Sequence, residues 1–128
     1  VIELKLEEQI VFLRDVPIDL KNALVAKSNV FIMPSIIYKK SVEGFGIAFV
    51  EAAQHGITSI GGKDGGASDA IIHEKTGLIC DGNNLDEIYS SIDALFKQNK
   101  HLEYGKAAKL NSQNFHWDKI IEKYKGIL

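Results

Sequence analysis

The sequence predicts an α/β fold, a doubly wound parallel sheet with helices on both faces, from three observations. Short runs of β-branched and apolar residues alternate along the chain with amphipathic stretches. The short runs are continuously apolar rather than alternating, as strands buried on both sides are. Glycine and proline mark most of the joints between the two kinds of segment. With 128 residues, 45% hydrophobic and 25% charged, the composition is that of one globular domain around one core.

Each element follows in order. "QIVFLR" (9–14) is a short β-branched run and reads as a strand. "PIDLKNALVAKS" (17–28) opens with proline at a helix start and sets Leu20, Leu24 and Val25 on one face. "NVFIMP" (29–34) reads as a buried strand stopped by Pro34, and "SIIYKKSVEG" as a polar loop. Residues 45–55 form an apolar helix ended by Gly56, which suits the left-handed position after a helix. "ITSIGG" (57–62) is a strand, a short helix sits near 67–73, and "GLIC" (77–80) is a fourth strand. "DGNN" is a turn. In "LDEIYSSIDALFKQ" (85–98), Leu85, Ile88, Ile92, Leu95 and Phe96 share a helical face, and two more helices follow near 100–112 and 117–125.

The bulk numbers exclude several functions. A net charge of −2 gives no electrostatic case for nucleic acid. The single cysteine, Cys80, rules out an internal disulfide or a Cys-rich metal site and reads as an inert core thiol. No apolar run approaches the roughly 20 residues of a membrane span. These features fit the cytoplasm. Val1 is not a natural initiator and "VIELKLEEQ" has no leader character, so a piece of a longer protein is expected. "IGGKD" is not a phosphate-binding P-loop, "EGFGIAF" lacks the third glycine of a dinucleotide fingerprint, and "DGNNLDE" lacks calcium-loop spacing. His73-Glu74 has no second histidine to make a zinc site. His55 reads as a helix-end residue, and His101 and His116 as surface or helix-start residues. No nucleophile–base set can be assembled.

One motif survives. In "EGFGIAFVEAAQHG" (43–56), Glu43 precedes a helix and Glu51 lies inside its most apolar stretch. A helix starting near Phe45 leaves the amides of Phe45, Gly46 and Ile47 without intrahelical partners, and its dipole favours an anion there. Gly44 and Gly46 remove side chains, so a ligand can approach the backbone. At ~1.5 Å per residue the two carboxylates are offset by up to about 12 Å, the length of a diphosphate with a sugar at each end. Carboxylates avoid phosphates, because like charges 4 Å apart repel by roughly 4 kcal/mol at an effective dielectric near 20. They accept well from paired hydroxyls. The spacing therefore suggests Glu43 on the transferred sugar, Glu51 on the ribose and phosphates on the amides between. A charge at Glu51 should then be offset by something outside this sequence. The competing reading makes Glu43 an acid at a helix N-terminus and pairs Glu51 with a lysine.

The stretch "MPSIIYKKSVEGFGIAFVEAAQHGITSIGGKDGGASDAIIHEKTGLICDG" closely resembles the donor-binding half of retaining GT-B glycosyltransferases, the group 1 family with two Rossmann-like domains. Pro34-Ser35, the Glu-x7-Glu pair Glu43/Glu51, Gly44-Phe45-Gly46, Gly56, Gly65-Gly66 and Thr76-Gly77-Leu78 carry the likeness. It runs from about Ile10 to Trp117 and is nearest in character to phosphatidylinositol-type mannosyltransferases. The resemblance implies that residues 1–128 are part of a C-terminal nucleotide-sugar-binding domain, with an N-terminal acceptor domain and the first part of this domain lying outside the segment. It implies Glu43 as the residue on the donor-sugar hydroxyls, counted as catalytic. Gly44, Phe45, Gly46 and Ile47 are then the backbone on sugar and diphosphate, Glu51 the ribose ligand, and Asp15 and Val16 the base-pocket lining. The donor would be a UDP-, GDP- or ADP-sugar, with no cofactor and no metal. The acceptor would be a glycan or lipid-linked saccharide, reached through the other domain. Hexose transfer would proceed with retention and no enzymic nucleophile, the acceptor attacking from the leaving-group side. Surface polysaccharide or glycolipid synthesis, in the cytoplasm with peripheral contact to the inner membrane face, completes the expectation.

Three departures qualify it. Arg14 stands where the family has glycine, and Asp69 where glutamate is common. The family's basic pair on the diphosphate has no match here, since Lys39, Lys40 and Lys63 do not occupy those positions and read as solvated. Lys119, Lys123 and Lys125 likewise read as a solvated helix face. A non-catalytic nucleotide-sugar-binding module and a sugar-nucleotide epimerase of similar architecture remain as alternatives.

Overall fold

The computed structural model describes residues 2–42 and 44–126. A 3-10 turn, Ile2–Leu4, leads into irregular chain and helix α1 (Ile18–Lys27). Then come strand β1 (Val30–Met33), helix α2 (Ile47–Gln54), strand β2 (Thr58–Gly62), helix α3 (Ala67–Ala70) and strand β3 (Gly77–Cys80). Helices α4 (Leu85–Phe96), α5 (Lys100–Ser112) and α6 (Trp117–Lys125) complete the order, separated by the 3-10 turns Lys97–Asn99 and Gln113–Phe115.

Among the described residues the sheet has three strands in the order β1-β2-β3, all parallel. Val30 stands opposite Thr58, and Ser59 opposite Gly77. Side chains alternate across it, as the pleat requires. On one face Phe31, Met33 and Ile79 meet Phe49 and Val50 of α2 and Ala67, Ala70 and Ile71 at α3. On the other, Val30, Ile60, Leu78 and Cys80 meet Ile88, Ile92 and Leu95 of α4 and Tyr104 of α5. Ile60 and Leu95 are fully buried. The expected Rossmann-like, helix-covered parallel sheet is therefore the observed fold.

Capping fixes the joints. Asn84 Oδ1 accepts from the amides of Asp86 and Glu87 at 3.1 and 3.2 Å, starting α4. Asp81 folds the preceding turn by accepting from Asn83 N at 2.9 Å. Gly56, at φ +79°, ends α2, and Ile57 N donates to Ala52 O across it. Cys80 is buried, and burial pushes its thiol pKa up.

Three expectations are corrected. Residues 9–14 form no strand: they carry no ladder bonds, and Val11 and Phe12 are 76% and 81% exposed. A strand needs a neighbouring edge, and no described strand lies beside this run. The apolar face of α1 is uncovered as well, with Leu20 and Leu24 exposed and no residue of the helix buried. His101 begins α5 as expected but is buried rather than on the surface, its Nδ1 lying 3.3 Å from Leu95 O and its ring against Phe96.

Candidate nucleotide-sugar site

The loops after β1, β2 and β3 gather beyond the carboxyl ends of the strands, where ligands bind in open α/β sheets. The first loop carries a tight hairpin missed in the sequence. Tyr38 and Ser41 exchange both backbone hydrogen bonds, at 3.1 and 2.9 Å, with Lys39 and Lys40 at the tip. Lys39 Nζ lies 5.3 Å from the Tyr38 ring. The second and third loops are tied together by Lys63 Nζ and Asp81 Oδ2 at 2.6 Å. That bond lowers the Asp81 pKa and raises that of Lys63. Lys63 is thus exposed, as expected, and paired with a carboxylate.

Helix α2 starts at Ile47, two residues later than expected. Gly46 is its cap residue, in the left-handed region at φ +75°, and Phe49 N donates back to its carbonyl at 2.9 Å. Phe45 and Gly46 therefore precede the helix, and the open amides at its start belong to Ile47 and Ala48. Among the described residues no side chain caps this end. A Cβ at Gly66 would overlap the Gly44 carbonyl, so glycine there lets the loop after β2 close on the chain entering α2. Gly44 itself faces open space. Phe45 packs edge-on against Phe115, with ring centroids 5.4 Å apart.

Glu43 lies outside the described residues. Glu51 stands one turn into α2, and its setting corrects the expectation of an unbalanced buried charge. Helical periodicity turns Phe49, Val50 and Ala52 to the core and leaves the Glu51 side chain 45% exposed. The counter-charge comes from this chain: Lys21 Nζ of α1 donates to Glu51 Oε2 at 3.0 Å. The lysine-paired alternative is thus the observed arrangement. Oε1 has no hydrogen-bond partner among the described residues. Ile47, Val50, Glu51 and Gln54 of α2 also form one wall of a cleft of about 380 Å³, closed opposite by Phe115, Trp117 and Ile120. Asp15 is exposed and left-handed at φ +52°, and Val16 is half-buried; both immediately precede α1. The Lys21–Glu51 bond thereby joins the segment of Asp15 and Val16 to the helix of Glu51. Sequence reading missed Lys21, because no spacing rule relates residues thirty apart.

The family profile described as "Glycosyl transferases group 1" matches residues 1–111. The chain belongs to the group 1 glycosyltransferases. A GDP-mannose-dependent alpha-(1-6)-phosphatidylinositol monomannoside mannosyltransferase of Mycolicibacterium smegmatis is 31% identical over 117 residues, 90% of this chain and 29% of that protein. A D-inositol 3-phosphate glycosyltransferase of Pseudarthrobacter chlorophenolicus is 31% identical over 93 residues, 72% of this chain and 21% of that protein. Among solved structures, sucrose-phosphate synthase from Thermosynechococcus elongatus superposes with a TM-score of 0.81 at 22% identity, covering 98% of this chain and 31% of that one. Anabaena HepE in complex with UDP and glucose gives 0.77 at 21% identity, covering 99% of this chain and 34% of that one. The group 1 segment described here thus spans about a third or less of each relative. Among its described residues no helix is long and apolar enough to cross a membrane.

Proposed function

We propose that this group 1 segment is the donor-binding part of a retaining glycosyltransferase that moves a hexose from a nucleotide sugar to a glycan or lipid-linked acceptor. One observation supports it most: a helix start at Ile47 with no side-chain cap among the described residues, followed one turn on by a half-exposed carboxylate whose Oε1 has no partner among them. The amides of Ile47 and Ala48, with Gly44, Phe45 and Gly46 leading into them, suit the diphosphate. Glu51 suits the ribose diol, accepting through Oε1 while Lys21 holds Oε2. Glu43 takes the hydroxyls of the transferred sugar, and Asp15 and Val16 line the base. The Mycolicibacterium smegmatis relative is named as GDP-mannose-dependent and Anabaena HepE is seen with UDP, in keeping with a nucleotide-sugar donor. Transfer then rests on positioning and on stabilising the departing diphosphate, which accepts the acceptor's proton as the glycosidic bond exchanges. The work is done on the cytoplasmic side, with the full-length protein touching the membrane only peripherally.

The test is a binding panel of nucleoside diphosphates and nucleotide sugars on the full-length protein. A ligand at 100 times its dissociation constant stabilises the fold by about 2.7 kcal/mol. Glu51→Gln should weaken every ribose-bearing ligand, whereas Glu43→Gln should weaken nucleotide sugars and spare the bare diphosphates. Unchanged affinities in both variants would overturn the assignment.

A further inference from the structure

Helix α1 turns a lysine, not a leucine, toward the rest of the molecule. Leu20 and Leu24 are exposed, and the least exposed residues of the helix are Lys21 and Val25, one turn apart. Lys21 Nζ reaches across to α2 and donates to Glu51 Oε2 at 3.0 Å. Both side chains remain open to solvent, at 38% and 45%, where such pairs add little to stability. The bond therefore contributes little to holding the fold, and its main effect falls on Glu51.

That effect is one of orientation. A glutamate on a helix surface samples several rotamers, and a ligand that needs one of them meets the cost of the lost freedom. The bond from Lys21 to Oε2 restricts Glu51 before any ligand arrives. It leaves Oε1, which has no hydrogen-bond partner among the described residues, as the acceptor on offer. Side chains lean toward the N-terminus of their helix, and Glu51 stands one turn after Ile47, so it leans along α2 toward the helix start. We infer that Lys21 is a positioning residue: it holds Glu51 in the orientation that accepts from the ribose diol of the donor nucleotide. Two effects oppose each other. A cation on Oε2 makes Oε1 a slightly weaker acceptor, whereas a held side chain binds with less loss of freedom. The second prevails, because one donated bond leaves the carboxylate ionised and Oε1 with its acceptor sites unused. This inference rests on the reading of Glu51 as the ribose ligand.

The experiment is calorimetric titration of the full-length protein with whichever of UDP, GDP and ADP binds best, and with the 2′,3′-dideoxy analogue of that diphosphate. Wild type, Lys21→Met, Lys21→Arg, Glu51→Ala and the Lys21→Met/Glu51→Ala double variant are compared. Lys21→Met should weaken the ribose form by about threefold, the scale of an exposed ion pair, and the dideoxy form by less than about 1.5-fold. Lys21→Arg should restore most of the loss. In the Glu51→Ala background Lys21→Met should cost nothing further, because the lysine then has no carboxylate to hold. Unliganded melting temperatures should hardly move between wild type and Lys21→Met. Tighter binding by Lys21→Met, no loss, an equal loss for both ligands, or a full loss in the Glu51→Ala background would each overturn the inference. Glu51→Ala separates the two failures. If it removes the preference for ribose over dideoxyribose while Lys21→Met leaves that preference intact, only the role of Lys21 falls. If it leaves the preference intact, the ribose reading of Glu51 falls with it.

Discussion

Gly46 shows how one residue sets the site. Its φ of +75° is a left-handed conformation that glycine adopts freely, and a Cβ there would sit 2.6 Å from Phe49 Cδ2. Gly46→Ala should therefore cost about 1–3 kcal/mol of stability and weaken nucleotide binding, because the helix start would shift. Gly44→Ala, facing open space, should change the midpoint by less than about 0.5 kcal/mol. Thermal unfolding of the two variants side by side checks this. The need for small residues here was legible in "EGFG", whereas the difference between the two glycines was not. It depends on backbone angle and on the Phe49 ring, which only the folded helix brings back over Gly46.

At the scale of elements, the ends of β2 and β3 are tied through the Lys63–Asp81 bond. Asp81 is held below the ordinary carboxylate range by Lys63. Its contribution is present above the unfolded aspartate value and is lost as pH falls through the lowered folded value. Lys63 is raised by the same partner, so its contribution is present below the ordinary lysine value and lost as pH rises through the raised one. Lys63→Met should thus melt below wild type near neutral pH, and the two curves should converge at acid pH, once Asp81 is protonated in both states. A constant gap into that range would refute the linkage. Element identities were readable from the apolar pattern for β2, β3 and α4, each with buried residues, whereas β1, expected as a buried strand, has no residue fully buried and leaves Ile32 41% exposed. Residues 9–14 read as a strand by the same rule and form none, because composition supplies the tendency and a partner edge supplies the hydrogen bonds.

At the scale of the whole molecule, one side is finished and the other open. The β2–β3 side is buried under α4 and α5, while Ile10, Val11, Phe12 and Leu13 and the Leu20–Leu24 face of α1 stand exposed. The 128-residue chain spans less than a third of the mannosyltransferase and the sucrose-phosphate synthase, and it should bind donor nucleotides yet give no transfer with any candidate nucleotide sugar and acceptor. Turnover by this chain alone, followed by release of nucleoside diphosphate, would refute that. By itself the sequence determined the α/β alternation, the strand cores and the glycine-bounded acidic motif. Those follow from hydrophobic period and backbone sterics, which act within short windows of chain. The folded structure alone decided that α2 opens at Ile47, that Glu51 faces solvent rather than core, and that Lys21 meets it across thirty residues. These depend on which faces pack together and which remain free, a property of the assembled layers that no single window of sequence contains.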